Sequence, residues 1–121
     1  DDRRGKYLML VFYALTTVYP LLAPAVIERF TKPPEAQDQR LIDAACTKFR
    51  AVIGPFLAGQ LGLSDFMTGD TISAADILLA KPLTNAHQLG LLVADFPTLH
   101  ALYERLAARA RRAAQPARSS M

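Results

Sequence analysis

The hydrophobic and polar positions of this chain follow the period of an α-helix in four successive stretches. Apolar side chains recur three and four residues apart, a spacing that places them on one face of a helix. No stretch alternates apolar and polar residues for long enough to indicate a strand, and β-branched residues are scattered rather than clustered. The pattern therefore predicts an all-α fold, a helical bundle.

The first predicted helix runs from Arg3 to about Ile27, with a bend expected near Pro20. No charged residue occurs between Tyr7 and Ile27, and a segment of that length can span a bilayer. However, tyrosines, threonines and prolines interrupt it, and the helices that follow have the amphipathic pattern of soluble packed helices. We interpret it as a buried helix of a protein without membrane contact, with a membrane span as the alternative. We recognise no signal peptide.

The second predicted helix carries one apolar stripe, formed by Ile42, Ala45, Phe49, Val52, Ile53 and Phe56. Gly54 and Pro55 are expected to kink this helix or to end it early. Cys46 lies on the same stripe, so we interpret it as a small core residue rather than a reactive thiol. As the only cysteine, it excludes an intramolecular disulfide and favours a reducing, cytoplasmic location.

The third predicted helix runs from Ala74 to about Leu89 and is apolar on nearly every face, at Ile77, Leu78, Leu79, Ala80, Leu83, Ala86 and Leu89. This composition predicts the central, buried helix of the bundle. The fourth helix has Pro97 in its first turn and one apolar side formed by Leu99, Leu102, Tyr103, Leu106 and Ala110. Residues 115–121 are predicted to be a flexible tail, which leaves residues 1–114 as one helical domain.

Ser73 and Asp76 lie three residues apart at the start of the third predicted helix. With Ser73 at the N-cap, its hydroxyl accepts the backbone N–H of Asp76, and the Asp76 carboxylate accepts the N–H of Ser73. This is a capping box, and Ile72 and Ile77 occupy the two positions of a hydrophobic staple. A catalytic serine would instead need a nearby base, and no histidine is close in sequence. The pattern favours the structural role.

The combination of a capping box and a hydrophobic staple at the start of a core helix resembles the pattern of a known protein family. The segment FMTGDTISAADILLA resembles the corresponding segment in the all-helical C-terminal domain of bacterial cytosolic glutathione S-transferases. RRGKYLMLVFYALTTVYPLLAP is similar to the long first helix of that domain, and FPTLHALYERLAAR to its final helix. The chain departs from the family pattern at Tyr19, where bacterial members commonly have Glu, and at Pro55 and Pro82, which lie inside predicted helices.

The resemblance implies a function for a larger parent protein. In such transferases a thioredoxin-like N-terminal domain binds glutathione and supplies the activating residue, and this chain shows no pattern for that domain. The helical domain would contribute the wall of the electrophile pocket and much of a homodimer contact, with no catalytic residue of its own. The parent would conjugate or reduce small electrophiles. A non-catalytic protein-interaction module and an isomerase of the same superfamily are the alternatives.

The first predicted helix carries a polar stripe within its apolar sequence. On a regular helical wheel Met9, Tyr13, Thr16 and Pro20 share one face with Thr17 beside it, while Leu8, Val11, Leu15 and Val18 form an aliphatic face opposite. A phenol and hydroxyls among apolar residues suit a pocket that binds apolar molecules through a few polar anchors. We therefore predict Met9, Tyr13, Thr16 and Thr17 as substrate-binding residues. The alternative is that these groups are satisfied within the core, with the threonine hydroxyls bonded one turn back.

Charge and the remaining titratable residues add little chemistry. The formal charge is +3, and the excess arginines cluster near the end of the chain, at Arg105, Arg109, Arg111, Arg112 and Arg118. Since no aromatic residues alternate with them, we interpret them as a solvated helix end rather than a nucleic-acid site. His87 and His100 have no partners at metal-ligand spacing. We expect surface or capping roles for both histidines and no metal.

Overall fold

The computed structural model describes residues 2–114, with side-chain surroundings from residue 4 onward. The predicted tail at 115–121 and Arg118 lie outside the described residues. The first helix, residues 2–31, consists of Asp2–Tyr13, Ala14–Val18 and Tyr19–Thr31. A short 3₁₀ turn, Pro34–Ala36, leads to the second helix, residues 39–61, which consists of Gln39–Lys48, Phe49–Ile53 and Gly54–Leu61. The third helix is Ala74–Gln88 and the fourth is Pro97–Ala114. Within the described part of the chain no strand is present, so the all-α prediction is confirmed.

Both long helices contain a π-helical turn directly upstream of a proline. In the first helix the N–H of Tyr19 bonds to the carbonyl of Ala14, and Pro20 follows. In the second, the N–H of Gly54 bonds to the carbonyl of Phe49, and Pro55 follows. Proline has no N–H and its ring collides with the carbonyl four residues earlier, so a wider turn lets the helix continue. Of the two outcomes predicted at Gly54 and Pro55, a kink or an early end, the early end is wrong for this reason, since the helix continues to Leu61.

The π turns also change which residues reach the core. A π turn takes more residues than an α turn, so buried positions recur every four residues through it. The buried stripe of the first helix is Leu10, Ala14, Val18, Leu22 and Ala25. Leu8 and Leu15, predicted on an aliphatic face with Val18, are instead exposed. Val52, predicted on the stripe of the second helix, is also exposed, while Cys46 lies in the core as predicted.

The third helix is central because it packs against the first helix along its length and against the fourth. Its buried residues are Ala75, Asp76, Leu79, Pro82, Leu83, Asn85 and Ala86. The central position predicted for this helix is confirmed, although one of its apolar residues, Ile77, is 58% exposed. Apolar composition predicted the position of this helix correctly but not its free face.

The second and fourth helices meet at Phe96, just before the fourth helix. The Phe96 ring lies directly over Gly54, where an added Cβ would come within 2.3 Å of a ring atom. The edge of the Phe49 ring faces it, with 5.6 Å between ring centroids. An ion pair joins the same two elements nearby, with 3.4 Å between Arg50 Nε and Asp95 Oδ2. Glycine at 54 therefore permits a helix approach that any side chain would obstruct.

Candidate functional site

The third helix begins with the predicted capping box. The Asp76 carboxylate accepts the backbone N–H of Ser73 at 2.9 Å, and the Ser73 hydroxyl donates to the same oxygen at 3.0 Å. The Ser73 side chain also faces the backbone N–H of Asp76, although without the alignment of a full hydrogen bond. The Asp76 half of the box is thus the stronger one. The staple residue Ile72 is half-buried, and its partner position Ile77 is exposed.

Asp76 makes one further bond that the sequence did not predict. Its second carboxylate oxygen accepts the backbone N–H of Met67 at 2.8 Å, and Asp76 is 0% exposed. Met67 is itself buried and lies in the loop before the helix, next to a tight turn between Phe66 and Gly69. One buried carboxylate therefore holds both the helix start and its preceding loop. This role is structural, because every bond it makes is internal.

The predicted substrate-binding residues lie on the first helix, at and just before its π turn. Tyr13 is half-buried and packs its ring against Phe56 of the second helix, with 4.8 Å between centroids. Burial raises the pKa of the Tyr13 phenol above its ordinary value. Since that ordinary value is about 10, the phenol stays protonated at neutral pH and can donate a hydrogen bond. Met9 is exposed one turn before Tyr13.

The two threonines of the predicted stripe differ from Tyr13 in the contacts of their hydroxyl groups. Thr16 is exposed, and its hydroxyl donates to the Phe12 carbonyl one turn back at 2.7 Å. Thr17 is half-buried, with its hydroxyl 3.4 Å from that of Thr16. The Thr16 bond is the one anticipated for a threonine satisfied within its own helix. Two surface cavities, one beside Ser64 and Thr98 and one beside Ile77 and Leu106, are not lined by these residues. The stripe forms a partly exposed wall along the first helix.

An apolar face beside this wall is exposed, which the sequence did not predict. It consists of Leu8, Phe12, Leu15 and Tyr19, which recur at helical spacing, and Phe12 is 70% exposed. Residues Arg4–Thr31 are long and apolar enough to cross a membrane, judged by length and composition, and 28% of the most apolar window is buried. The prediction that this helix is buried is therefore wrong for most of its surface. Such a face is normally buried against another surface, because large contiguous apolar patches are rare on free surfaces.

The histidines occupy a third location, between the third and fourth helices. His87 stacks on Tyr103 with 4.4 Å between centroids, and His100 lies 5.5 Å from His87. His87 Nδ1 is buried and has no hydrogen-bond partner among the described residues. The predicted surface and capping roles thus understate their packing. Within residues 2–114, no group of three or more His, Cys, Asp or Glu side chains is arranged to hold a metal.

Comparison with known proteins identifies the family. The family model described as glutathione S-transferase, C-terminal domain, matches residues 18–110, more than half of the chain. The chain belongs to this family. It is also 32% identical over 77 residues to glutathione S-transferase GstB of Escherichia coli strain K12, and equally to GstB of Escherichia coli O6:H1. The aligned part covers 64% of this chain and 36% of each relative, so the chain spans about a third of the curated relatives it matches. No solved structure matches significantly.

The match to the glutathione S-transferase C-terminal domain includes the features described above. Residues 18–110 contain the capping box, the Phe96 and Gly54 contact, the second and third helices and most of the fourth. The resemblance inferred from the capping segment is confirmed, as is the helical fold that it implied. Tyr13 and Met9 lie before the matched region, so their role depends on geometry rather than on the match.

Proposed function

We propose that this chain is the electrophile-site and dimer-interface domain of a parent glutathione transferase. The parent would conjugate or reduce small apolar electrophiles with glutathione, as a cytoplasmic homodimer without a metal. Glutathione would be bound mainly by a thioredoxin-like domain of the parent. In conjugation, the glutathione thiolate attacks the electrophilic carbon, a carbon–sulfur bond forms, and the leaving group departs with its electron pair. This chain would hold the electrophile during that step.

The observation that carries the proposal is the placement of Tyr13. Its ring is held by Phe56 and its phenol stays protonated, so it presents a fixed hydrogen-bond donor on an otherwise apolar wall. Binding sites for apolar molecules combine such a surface with a few polar groups that fix orientation. Met9 adds a flexible apolar side chain that adapts to differently shaped electrophiles. Thr16 is the weaker polar anchor, because its hydroxyl is already bonded to Phe12.

The test is a kinetic comparison in the full-length parent. Tyr13→Phe removes one hydroxyl and leaves the ring packed against Phe56. Loss of one hydrogen bond worth about 0.5–1.5 kcal/mol predicts a kcat/KM for the electrophile that falls about two- to tenfold, with the KM for glutathione unchanged. Thr16→Val should have a smaller effect. Tyr103→Phe, a phenol removed on the fourth helix, is the matched control and should change neither. A change in glutathione affinity alone would contradict the proposed orientation of this wall.

The dimer interface is proposed for the exposed face formed by Leu8, Phe12, Leu15 and Tyr19. Supporting this, the face is apolar, follows one side of a single helix and lacks charged residues between Tyr7 and Ile27. Phe12→Asp places a charge at its most exposed position. Sedimentation of the parent should then shift from dimer to monomer, while Val93→Asp, an equally apolar exposed residue elsewhere, should leave the dimer intact. A dimer that persists with Phe12→Asp would rule this face out.

A further inference from the structure

We propose that His87 and His100 together bind one divalent transition-metal ion, such as Zn²⁺, and so join the third and fourth helices. His87 lies in the last turn of the third helix and His100 in the first turn of the fourth. Their ring centroids are 5.5 Å apart. The sequence predicted no metal because it does not show that the two helices bring these rings together. The ion is separate from the transfer reaction, for which we propose no metal.

The distance between the two rings fits a shared ion. A Zn–N bond is about 2.0–2.1 Å long and an imidazole nitrogen lies about 1.2 Å from its ring centre, so a bound ion lies about 3.2 Å from each centroid. Two imidazoles on one tetrahedral ion then have centroids about 5.2 Å apart, and two on opposite sides of an ion about 6.4 Å. The observed 5.5 Å lies within this range. The separation of the two rings therefore already suits a shared ion.

The surroundings of His87 leave its ring available as a ligand. The ring stacks on Tyr103, with 4.4 Å between centroids and 20° between the planes, which fixes its orientation. Its Nδ1 atom is buried and has no hydrogen-bond partner among the described residues. Buried polar atoms are normally paired, and a bound ion is one of the partners that explain an exception. Both histidines are half-buried, so their rings are open to solvent on one side.

The two donors determine the class of ion. Imidazole nitrogen suits Zn²⁺, Ni²⁺ and Cu²⁺, whereas Mg²⁺ and Ca²⁺ prefer oxygen ligands. In the part of the chain that the structure describes, no third His, Cys, Asp or Glu side chain is arranged with the two rings to hold an ion. Water molecules would complete the coordination, so binding is weaker than at a structural site with four protein ligands. Glu104 is exposed one turn after His100, and its negative charge on that side of the helix favours a cation.

The test is calorimetric titration of the 121-residue chain with Zn²⁺, with Mg²⁺ as the control ion. Zn²⁺ should bind saturably at one ion per chain, and Mg²⁺ should not bind. His87→Phe and His100→Phe keep an aromatic ring at each position and remove its nitrogens. Each should weaken Zn²⁺ binding about tenfold or more, because one of only two protein ligands is lost. Cys46→Ala removes the only thiol of the chain and is the matched control, which should bind Zn²⁺ as the wild type does.

A melting experiment tests whether the ion joins the two helices. Saturating Zn²⁺ should raise the melting midpoint of the wild type, since the folded chain holds both ligands together and the unfolded chain does not. It should leave the midpoints of both histidine variants unchanged. Each variant is compared with itself, with and without Zn²⁺, so a lost ligand is distinguished from a damaged fold.

Several results would overturn the proposal. Absence of saturable Zn²⁺ binding to the wild type would refute it outright. Binding that persists in both histidine variants would place the ion elsewhere, and binding lost in Cys46→Ala would make the thiol the ligand. Loss in one histidine variant alone would show a single-histidine contact rather than a shared ion. None of these outcomes depends on whether the parent is a transferase.

Discussion

Replacing Asp76 with alanine tests the most connected polar group in the core. The carboxylate accepts the backbone N–H groups of Ser73 and Met67 and the Ser73 hydroxyl. After Asp76→Ala, the buried Met67 N–H has no acceptor, which costs about 1–3 kcal/mol. Loss of the helix cap adds about 1 kcal/mol. The free energy of unfolding should therefore fall by about 2–4 kcal/mol. At roughly 4 °C per kcal/mol for a domain of this size, the melting midpoint should fall by roughly 8–16 °C.

Ser73→Ala provides the comparison that makes this prediction specific. It removes the hydroxyl but keeps both backbone bonds to Asp76, so it should cost only about 1 kcal/mol. A capping box considered alone gives similar costs for both substitutions, and the bond to Met67 makes them unequal. In the Asp76→Ala background the Ser73 hydroxyl has lost its acceptor, so the second substitution should cost close to nothing. The expected coupling is thus about 1 kcal/mol.

The assay is urea-induced unfolding followed by far-UV circular dichroism, on the wild type, both single variants and the double variant. Asp76→Asn is a further control, because its remaining oxygen can still accept from Met67 while its amide group cannot accept from Ser73. It should therefore be less destabilising than Asp76→Ala. If Asp76→Ala costs no more than Ser73→Ala, the Met67 bond contributes nothing and the reasoning fails. If Ser73→Asn kept the melting midpoint but abolished activity of the parent, the serine would be chemical.

Three further predictions concern packing, pH and ligand binding. Gly54→Ala should destabilise the fold by about 1–3 kcal/mol in urea unfolding, because its Cβ meets the Phe96 ring, whereas Gly59→Ala has free space and should not. Hydrogen bonds from the Asp38 backbone N–H and from Lys32 lower the pKa of Glu28. The contribution of Glu28 to stability is therefore complete above about pH 4.5 and is lost as the pH falls through the lower folded pKa. Unfolding midpoints measured between pH 2 and pH 6 should lose this dependence in Glu28→Gln. Calorimetric titration of the 121-residue chain with glutathione should give no saturable binding at micromolar concentrations.

Local sequence patterns predicted the features whose parts lie close together in the chain. The capping box involves Ser73 and Asp76 within one helical turn, and its geometry depends on little else. Cys46 was likewise placed in the core by its spacing from Ile42 and Phe49. In contrast, the bond from Met67 to Asp76 and the stacking of His87 on Tyr103 join separate elements. Periodicity carries no information about such pairs.

The errors on the helix faces have a different physical origin. A helical wheel assumes a constant turn, and the π turns at Ala14–Val18 and Phe49–Ile53 break that assumption. Leu15 and Val52 were consequently assigned to faces that the structure exposes. Ile77 was misplaced for another reason: an exposed apolar residue and one in the core contribute equally to a hydrophobic pattern. Apolarity predicts that a side chain will be covered, but not by what.

The π turn of the first helix connects these observations to the proposed site. The widened turn before Pro20 accommodates the proline ring, and Thr16 and Thr17 lie inside that turn while Tyr13 directly precedes it. The turn keeps Leu10, Ala14, Val18 and Leu22 on one buried stripe. With this stripe fixed against the bundle, Tyr13 reaches Phe56 while Phe12 and Leu15 face outward. In a regular α-helix, the residues after this turn would be rotated about the helix axis relative to the residues before it. The proline therefore acts on the proposed electrophile wall through backbone geometry, without itself contacting a ligand.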